Sequence, residues 1–240
     1  TTGATKGMCA PIPEHLPAEG APVVVNYASS KAGADAVVKR ITDKGGKAIS
    51  VQADLSKAQD IKRLFAETRS AYDKLDILVN NAGIYEFAPL ESITVEHFHK
   101  HFDLNVLGLL LATQEAVSLF GAKGGSIINI SSVVGPMPFP NASVYSATKA
   151  AVDALTIALS QELGPRKIRV NSLNPGMVDT EGTRSAGTTE SEMRQKVESQ
   201  TPLGRIAVPE DIARAAVFFA SDDAGWVTGQ TLLLAGGYRQ

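Results

Sequence analysis

The chain has 240 residues and a formal net charge of −2, with 44% hydrophobic and 20% charged residues. That length suits one large domain with its own core, and the charge pattern has no basic stretch of the kind that holds nucleic acid. The longest apolar run, residues 106–112, is far too short to span a bilayer, and the lone Cys9 excludes an internal disulfide and fits a reducing, cytoplasmic compartment.

In chain order, residues 1–20 open on the glycine loop TTGATKG, where Gly3 and Gly7 let backbone amides approach a phosphate at a helix N-terminus. No strand precedes this loop. Residues 21–27 (APVVVNY) read as a strand and 30–46 as a helix with a glycine stop. A strand follows over 47–54, then a helix over 56–75 with Ser56 as its N-cap. Residues 75–83 (LDILVNNAG) form a buried strand running into a loop, and a long helix covers 94–119 with Ser92 or Thr94 near its cap. Strands over 125–132, 168–176 and 231–237 alternate with helices over 144–163 and 209–220. Such alternation predicts a doubly wound α/β domain spanning 1–240, with helices on both faces of a parallel sheet. Ligands of such sheets bind at the carboxyl ends of the strands.

The chemistry concentrates in the second half. Tyr145 and Lys149 lie at i and i+4, so a helix projects the phenol and the ammonium side by side. A nearby cation favours the phenolate and brings a sluggish acid–base group toward its working range. Ser132 lies thirteen residues earlier at the end of a strand, where its hydroxyl and the phenol can converge on one carbonyl oxygen. Asn105 is a polar residue in an otherwise apolar helical stretch. It is either a satisfied core amide or a kink that holds water and feeds the lysine.

The order TGATKGMC from residue 2, NNAG at 80–83, Asn105, Ser132, YSATK at 145–149 and PGMVDT at 175–180 resembles the short-chain dehydrogenase/reductases over residues 2–237. The resemblance implies a Rossmann-like fold, here without its first strand. It implies a tetrad of Asn105, Ser132, Tyr145 and Lys149. Tyr145 would donate or accept the proton, Ser132 would position the carbonyl, Lys149 would tune the tyrosine and bind ribose, and Asn105 would hold a relay water. Three departures mark the N-terminal end: the missing strand, Cys9 in place of a third glycine, and Pro11, Pro13 and Pro17 where a helix is expected. Each interior proline costs a helix about 3 kcal/mol or more.

The same resemblance places a nicotinamide dinucleotide on Gly3, Thr5, Lys6, Gly7 and Met8, with Asp54 and Leu55 toward the adenine. Asn81, Ala82 and Gly83 would line the floor, and Pro175, Gly176, Val178 and Thr180 would clamp the nicotinamide. An NAD site would carry an acidic side chain at the end of the strand over 21–27, for the ribose 2′-hydroxyl. The chain has Asn26 there, with Lys6, Ser29 and Lys31 nearby, so NADP(H) is expected.

The remaining features are weaker. His97, His99 and His101 cluster on one helix, but no third ligand on another element is identifiable, and no metal is assigned. Met137 and Phe139 fall near the mouth of the site, and residues 177–201 are expected as a substrate lid. By resemblance, the helices bearing Asn105 and Tyr145 would form the faces of a homo-oligomer, a dimer or tetramer, and Ala235 replaces a common acidic residue. The expected function is NADPH-dependent reduction of a ketone or aldehyde, with no nucleic-acid or membrane partner. An NADP-dependent sugar or alcohol dehydrogenase, or a scaffold that has lost its cofactor, are the alternatives.

Overall fold

The structure, a computed structural model, describes residues 1–3, 11–15, 21–180 and 192–238. Six parallel strands run as β1 (Val23–Tyr27), β2 (Ala48–Gln52), β3 (Ile77–Asn80), β4 (Gly125–Ile130), β5 (Ile168–Pro175) and β6 (Thr231–Leu234). They fall into two hydrogen-bonded sets, β1–β2 and β3–β4–β5–β6. Their β-branched, nearly continuous apolar sequences suit strands covered on both faces. Adjacent residues of one strand pack on opposite faces: Val79 and Ile128 join one core cluster, Leu78 and Ile127 the other.

One face is covered by α1 (Ile12–His15), α2 (Lys31–Asp43) and α8 (Pro209–Ala220), through Ile12, Val37, Ile41, Ile212 and Phe219. The opposite face is covered by α3 (Ala58–Tyr72) and α5 (Leu109–Val117), through Ile61, Phe65, Ala112 and Ala116. Helices α4 (Val95–Phe102), α6 (Ser143–Leu163) and α7 (Glu192–Gln200) complete the set. No described helix is long and apolar enough to cross a membrane.

Two sequence expectations are corrected. The helix expected from Ser56 begins at Ala58, because Ser56 turns its amide and hydroxyl onto Asp54 Oδ1, at 3.0 and 2.7 Å. The helix expected over 94–119 is three pieces, with a π-helical turn at Asp103–Gly108 between α4 and α5. Thr94 does cap it, its Oγ1 accepting from the His97 amide at 3.1 Å. After the glycine loop, the proline-rich stretch leaves a single turn of helix, α1, among the described residues.

Between β1 and β3 the chain is bridged by the first two residues. The Asn26 amide donates to the Thr1 carbonyl at 3.1 Å, and the Thr2 amide to the Val79 carbonyl at 3.0 Å. Below this bridge lies a cavity of about 320 Å³, lined in part by Val23, Val24, Phe65, Leu75 and Ile77. The crossovers lead outward in opposite directions from this point, β1 to β2 and β3 to β6, which makes it the topological switch of the sheet.

Candidate active site

Strand β4 ends at Ile130, and α6 returns antiparallel to the strand direction beside it. Lys149 is 7% exposed, and its Nζ donates to the Ile130 carbonyl at 2.8 Å. A buried ammonium needs such an acceptor, since an unpaired one would cost several kcal/mol. Ser131 Oγ donates to the Lys149 carbonyl at 3.0 Å, tying strand end to helix and bringing Ser132 close enough to act on the Tyr145 phenol. Lys149 Nζ lies 5.8 Å from the centroid of the Tyr145 ring, within cation–π reach.

Burial pushes the Tyr145 phenol up to about 12; the Ser132 hydroxyl, by bonding the phenolate, pulls it back, and the neighbouring Tyr85 raises it further. Desolvation sets the direction, and the group opposing it is Ser132.

Asn105 sits in the π-helical turn, buried, with its amide fully used. Its Oδ1 accepts from the Ile84 amide at 2.9 Å, and its Nδ2 donates to the Ile84 carbonyl at 2.9 Å and to Thr148 Oγ1 at 3.2 Å. The side chain is a clasp on the loop after NNAG. π-Turns recur at functional sites, and this one aims Asn105 across the base of Gly83.

The expected dinucleotide cradle is partly present in the described residues. Gly3 has φ +58°, and a Cβ there would lie 2.9 Å from the Ala82 Cα. Asn81 Nδ2 donates to the Thr2 and Gly3 carbonyls at 2.9 and 3.0 Å, and the Ala82 amide donates to Thr2 Oγ1 at 3.0 Å. A Cβ on Gly83 would stand 3.8 Å from Lys149 Nζ, inside the space between the loop and the tetrad. Pro175 closes β5, the Gly176 amide donates to the Leu234 carbonyl at 3.0 Å, Val178 bridges to Ala207, and Thr180 is buried. These bare, glycine-lined strand ends fit a dinucleotide. Thr5, Lys6, Gly7, Met8 and Cys9, and residues 181–191 of the expected lid, lie outside the described residues.

Asn26, expected beside the cofactor ribose, is bonded into the protein. Its side chain is buried and turned inward: Oδ1 accepts from the Gly3 amide at 3.2 Å, and Nδ2 donates to the Val51 and Ala53 carbonyls at 3.3 and 3.0 Å. It braces the glycine loop, and Tyr27 ends the strand one residue later. Ser29 is exposed beyond it, whereas Lys31 is paired with Asp35 at 2.6 Å. Asp54 is occupied locally: Ser56 bonds hold its carboxyl below the usual range, with Lys57 3.5 Å away. Leu55 is packed in the core.

Sequence reasoning named Phe139 at the mouth but missed Tyr85 and Phe87. Tyr85 and Phe87, 53% and 52% exposed, stand over Tyr145 with ring centroids 6.0 and 6.3 Å from it, and Phe87 meets Phe139 at 5.3 Å. Their only sequence signal was position directly after NNAG. The third partner of the histidine pair was missed as well: Glu86, His97 and His101 bring ligand-type atoms within 4.8 Å of one another. Both ring nitrogens of His101 are engaged by protein, however. Nε2 accepts from the Glu86 amide at 3.0 Å and Nδ1 faces the His97 carbonyl at 2.8 Å. The Glu86 carboxylate is paired with Lys100.

Comparison with known proteins agrees with this geometry. A family profile described as enoyl-(acyl carrier protein) reductase matches residues 3–239. The chain is 56% identical to an uncharacterized oxidoreductase of Methylorubrum extorquens, over 99% of its own length and 96% of the relative's. It is 38% identical to 3beta-hydroxysteroid dehydrogenase 1 of Eggerthella lenta, over 98% and 91%. A dehydrogenase/reductase structure from Sinorhizobium meliloti superposes with a TM-score of 0.94 at 36% identity, covering 100% of this chain and 93% of that one. Since this agreement runs through the strand ends that gather Ser132, Tyr145 and Lys149, the chain belongs to the short-chain dehydrogenase/reductase family of nicotinamide-dependent oxidoreductases.

Proposed function

We propose that this chain is an NADPH-dependent carbonyl reductase acting on ketones that carry a flat apolar group. The observation that carries the reading is the gathering of Ser132, Tyr145 and Lys149 at the end of β4, with Lys149 Nζ 5.8 Å from the Tyr145 ring, beneath an exposed aromatic mouth. When bound, NADPH supplies hydride to the carbonyl carbon.

The residues then divide the work. Ser132 holds the carbonyl oxygen, and Tyr145 gives that oxygen its phenolic proton as the alcohol forms. A phenol at about 12 is fully protonated at neutral pH, which suits the acid role. It remains far more acidic than an alcohol, so the transfer runs downhill. Lys149, held by Ile130, keeps a positive charge below the phenolate that results. Asn105 fixes the Ile84 peptide, and with it the loop bearing Tyr85 and Phe87.

Support for NADPH over NADH is the lack of any carboxylate in the sequence from Asn26 through Ser30 at the end of β1. Support for the substrate class is the set of rings Tyr85, Phe87 and Phe139, which offer faces to a planar hydrocarbon. The name of the Eggerthella relative, a hydroxysteroid dehydrogenase, is in keeping with a polycyclic ligand. Half-exposed Leu107 and Ile157, on the π-turn and α6, favour self-association through these helices.

The test is cofactor oxidation with 1-tetralone, 2-butanone and an acetoacetyl thioester. NADPH should be preferred over NADH by about tenfold or more, equivalent to roughly 1.4 kcal/mol. 1-Tetralone should have the lowest KM. NADPH binding without turnover of any carbonyl would overturn the reading.

A further inference from the structure

We propose that His101 is a positioning residue that sets the shape of the substrate mouth, acting through the backbone of the loop that carries Tyr85 and Phe87. The proposal rests on the carbonyl-reductase reading of this site. His101 is fully buried, one helical turn before Asn105, so the two side chains share a face. Asn105 clasps the Ile84 peptide and His101 Nε2 accepts from the Glu86 amide, two residues further along the same loop. Two rungs from one helix thus hold alternate residues, and the residues between and beyond them, Tyr85 and Phe87, put their rings beside Tyr145.

The imidazole is built for this task. Its Nδ1–H points at the His97 carbonyl, which fixes the tautomer and leaves the Nε2 lone pair for Glu86. The His97 ring packs against it at a tilt, with centroids 4.5 Å apart, and Lys100 anchors the Glu86 carboxylate from the same helix. A buried, polar, twice-bonded side chain at a position where a hydrophobic residue would pack needs a reason. The loop amide supplies one, since an amide left without a partner would let the loop leave the helix. The role is distinct from chemistry, because His101 contacts no reacting group.

The experiment compares wild type with His101→Phe and His101→Gln in the full chain. Gln can present a carbonyl oxygen to the Glu86 amide, and Phe cannot. Two readouts are taken: hydrogen exchange of the 84–88 segment, and steady-state kinetics with 1-tetralone and 2-butanone. His101→Phe should speed exchange at Glu86 and raise the 1-tetralone KM about three- to tenfold, the worth of one hydrogen bond. The 2-butanone KM, kcat and NADPH affinity should stay within about twofold. His101→Gln should restore both readouts. If His101→Phe fails to fold, Glu86→Pro, which deletes the same N–H from the loop side, should speed exchange at the flanking Tyr85 and Phe87 amides and raise the 1-tetralone KM by a similar factor.

Unchanged exchange at Glu86 would overturn the latch. Faster exchange with unchanged 1-tetralone KM, or a parallel loss of kcat and NADPH binding, would overturn the positioning role. Absence of any carbonyl turnover in wild type would instead overturn the reductase reading, while the exchange data would still judge the latch.

Discussion

Asn105 holds both polar groups of Ile84 at once, accepting from its amide and donating to its carbonyl, each at 2.9 Å. Replacing Asn105 with Ala leaves a part-buried amide and carbonyl without these partners. A loss of about 2–6 kcal/mol follows from roughly 1–3 kcal/mol per unsatisfied group. The denaturant midpoint should fall accordingly, and carbonyl turnover should fall with it, because the loop over Tyr145 is no longer fixed.

Ser132 is the group that opposes the upward push of burial on Tyr145. In Ser132→Ala the phenol should therefore titrate even higher than about 12, read from phenolate absorbance. Reductive turnover should drop about 10²–10³-fold, as when an oxygen-holding donor is removed. The acid form must be present for reduction, and a pKa near 12 keeps it so at every lower pH. The reductive rate of wild type should accordingly show no Tyr145-dependent loss between about pH 6 and pH 10.

Much of this site was legible in the sequence, for a definable reason. Tyr145 and Lys149 are spaced by one helical turn, and Ser132 follows a strand of plain pattern, so local geometry alone brings them to one sheet end. Asn26's inward bond was not legible, because side chains alternate along a strand: the residue that faces the Gly3 amide is one position away from the one that ends the strand, Tyr27. The π-turn at Asp103–Gly108 has no periodic signature of its own. Tyr85, Glu86 and Phe87 acquire their roles only when the loop folds back on α4 and α6, a tertiary contact that no spacing encodes.

Asn26 offers a direct separation of bracing from recognition. Asn26→Ala removes the acceptor for the Gly3 amide and the donor to Val51 and Ala53. Stability should fall by about 1–3 kcal/mol and affinity for both cofactors should weaken. The NADPH-to-NADH affinity ratio should stay constant, because the side chain faces the protein. A changed ratio in calorimetric titrations would place Asn26 on the cofactor.

Gly3 is held at φ +58° with no room for a side chain beside Ala82. Gly3→Ala should destabilise the glycine loop by about 1–2 kcal/mol from the left-handed backbone alone, with the close contact adding to it. NADPH affinity should fall at least tenfold, while the far-UV circular dichroism of the sheet and helices persists.

The central claim is that Tyr145 is the proton donor of a carbonyl reductase. Its most direct test is Tyr145→Phe, assayed for NADPH-dependent turnover of 1-tetralone alongside calorimetric titration of NADPH. The account predicts turnover lower by about 10²–10⁴-fold, the usual worth of a positioned acid, with NADPH affinity within about twofold of wild type. Turnover that survives the loss of the hydroxyl would contradict it.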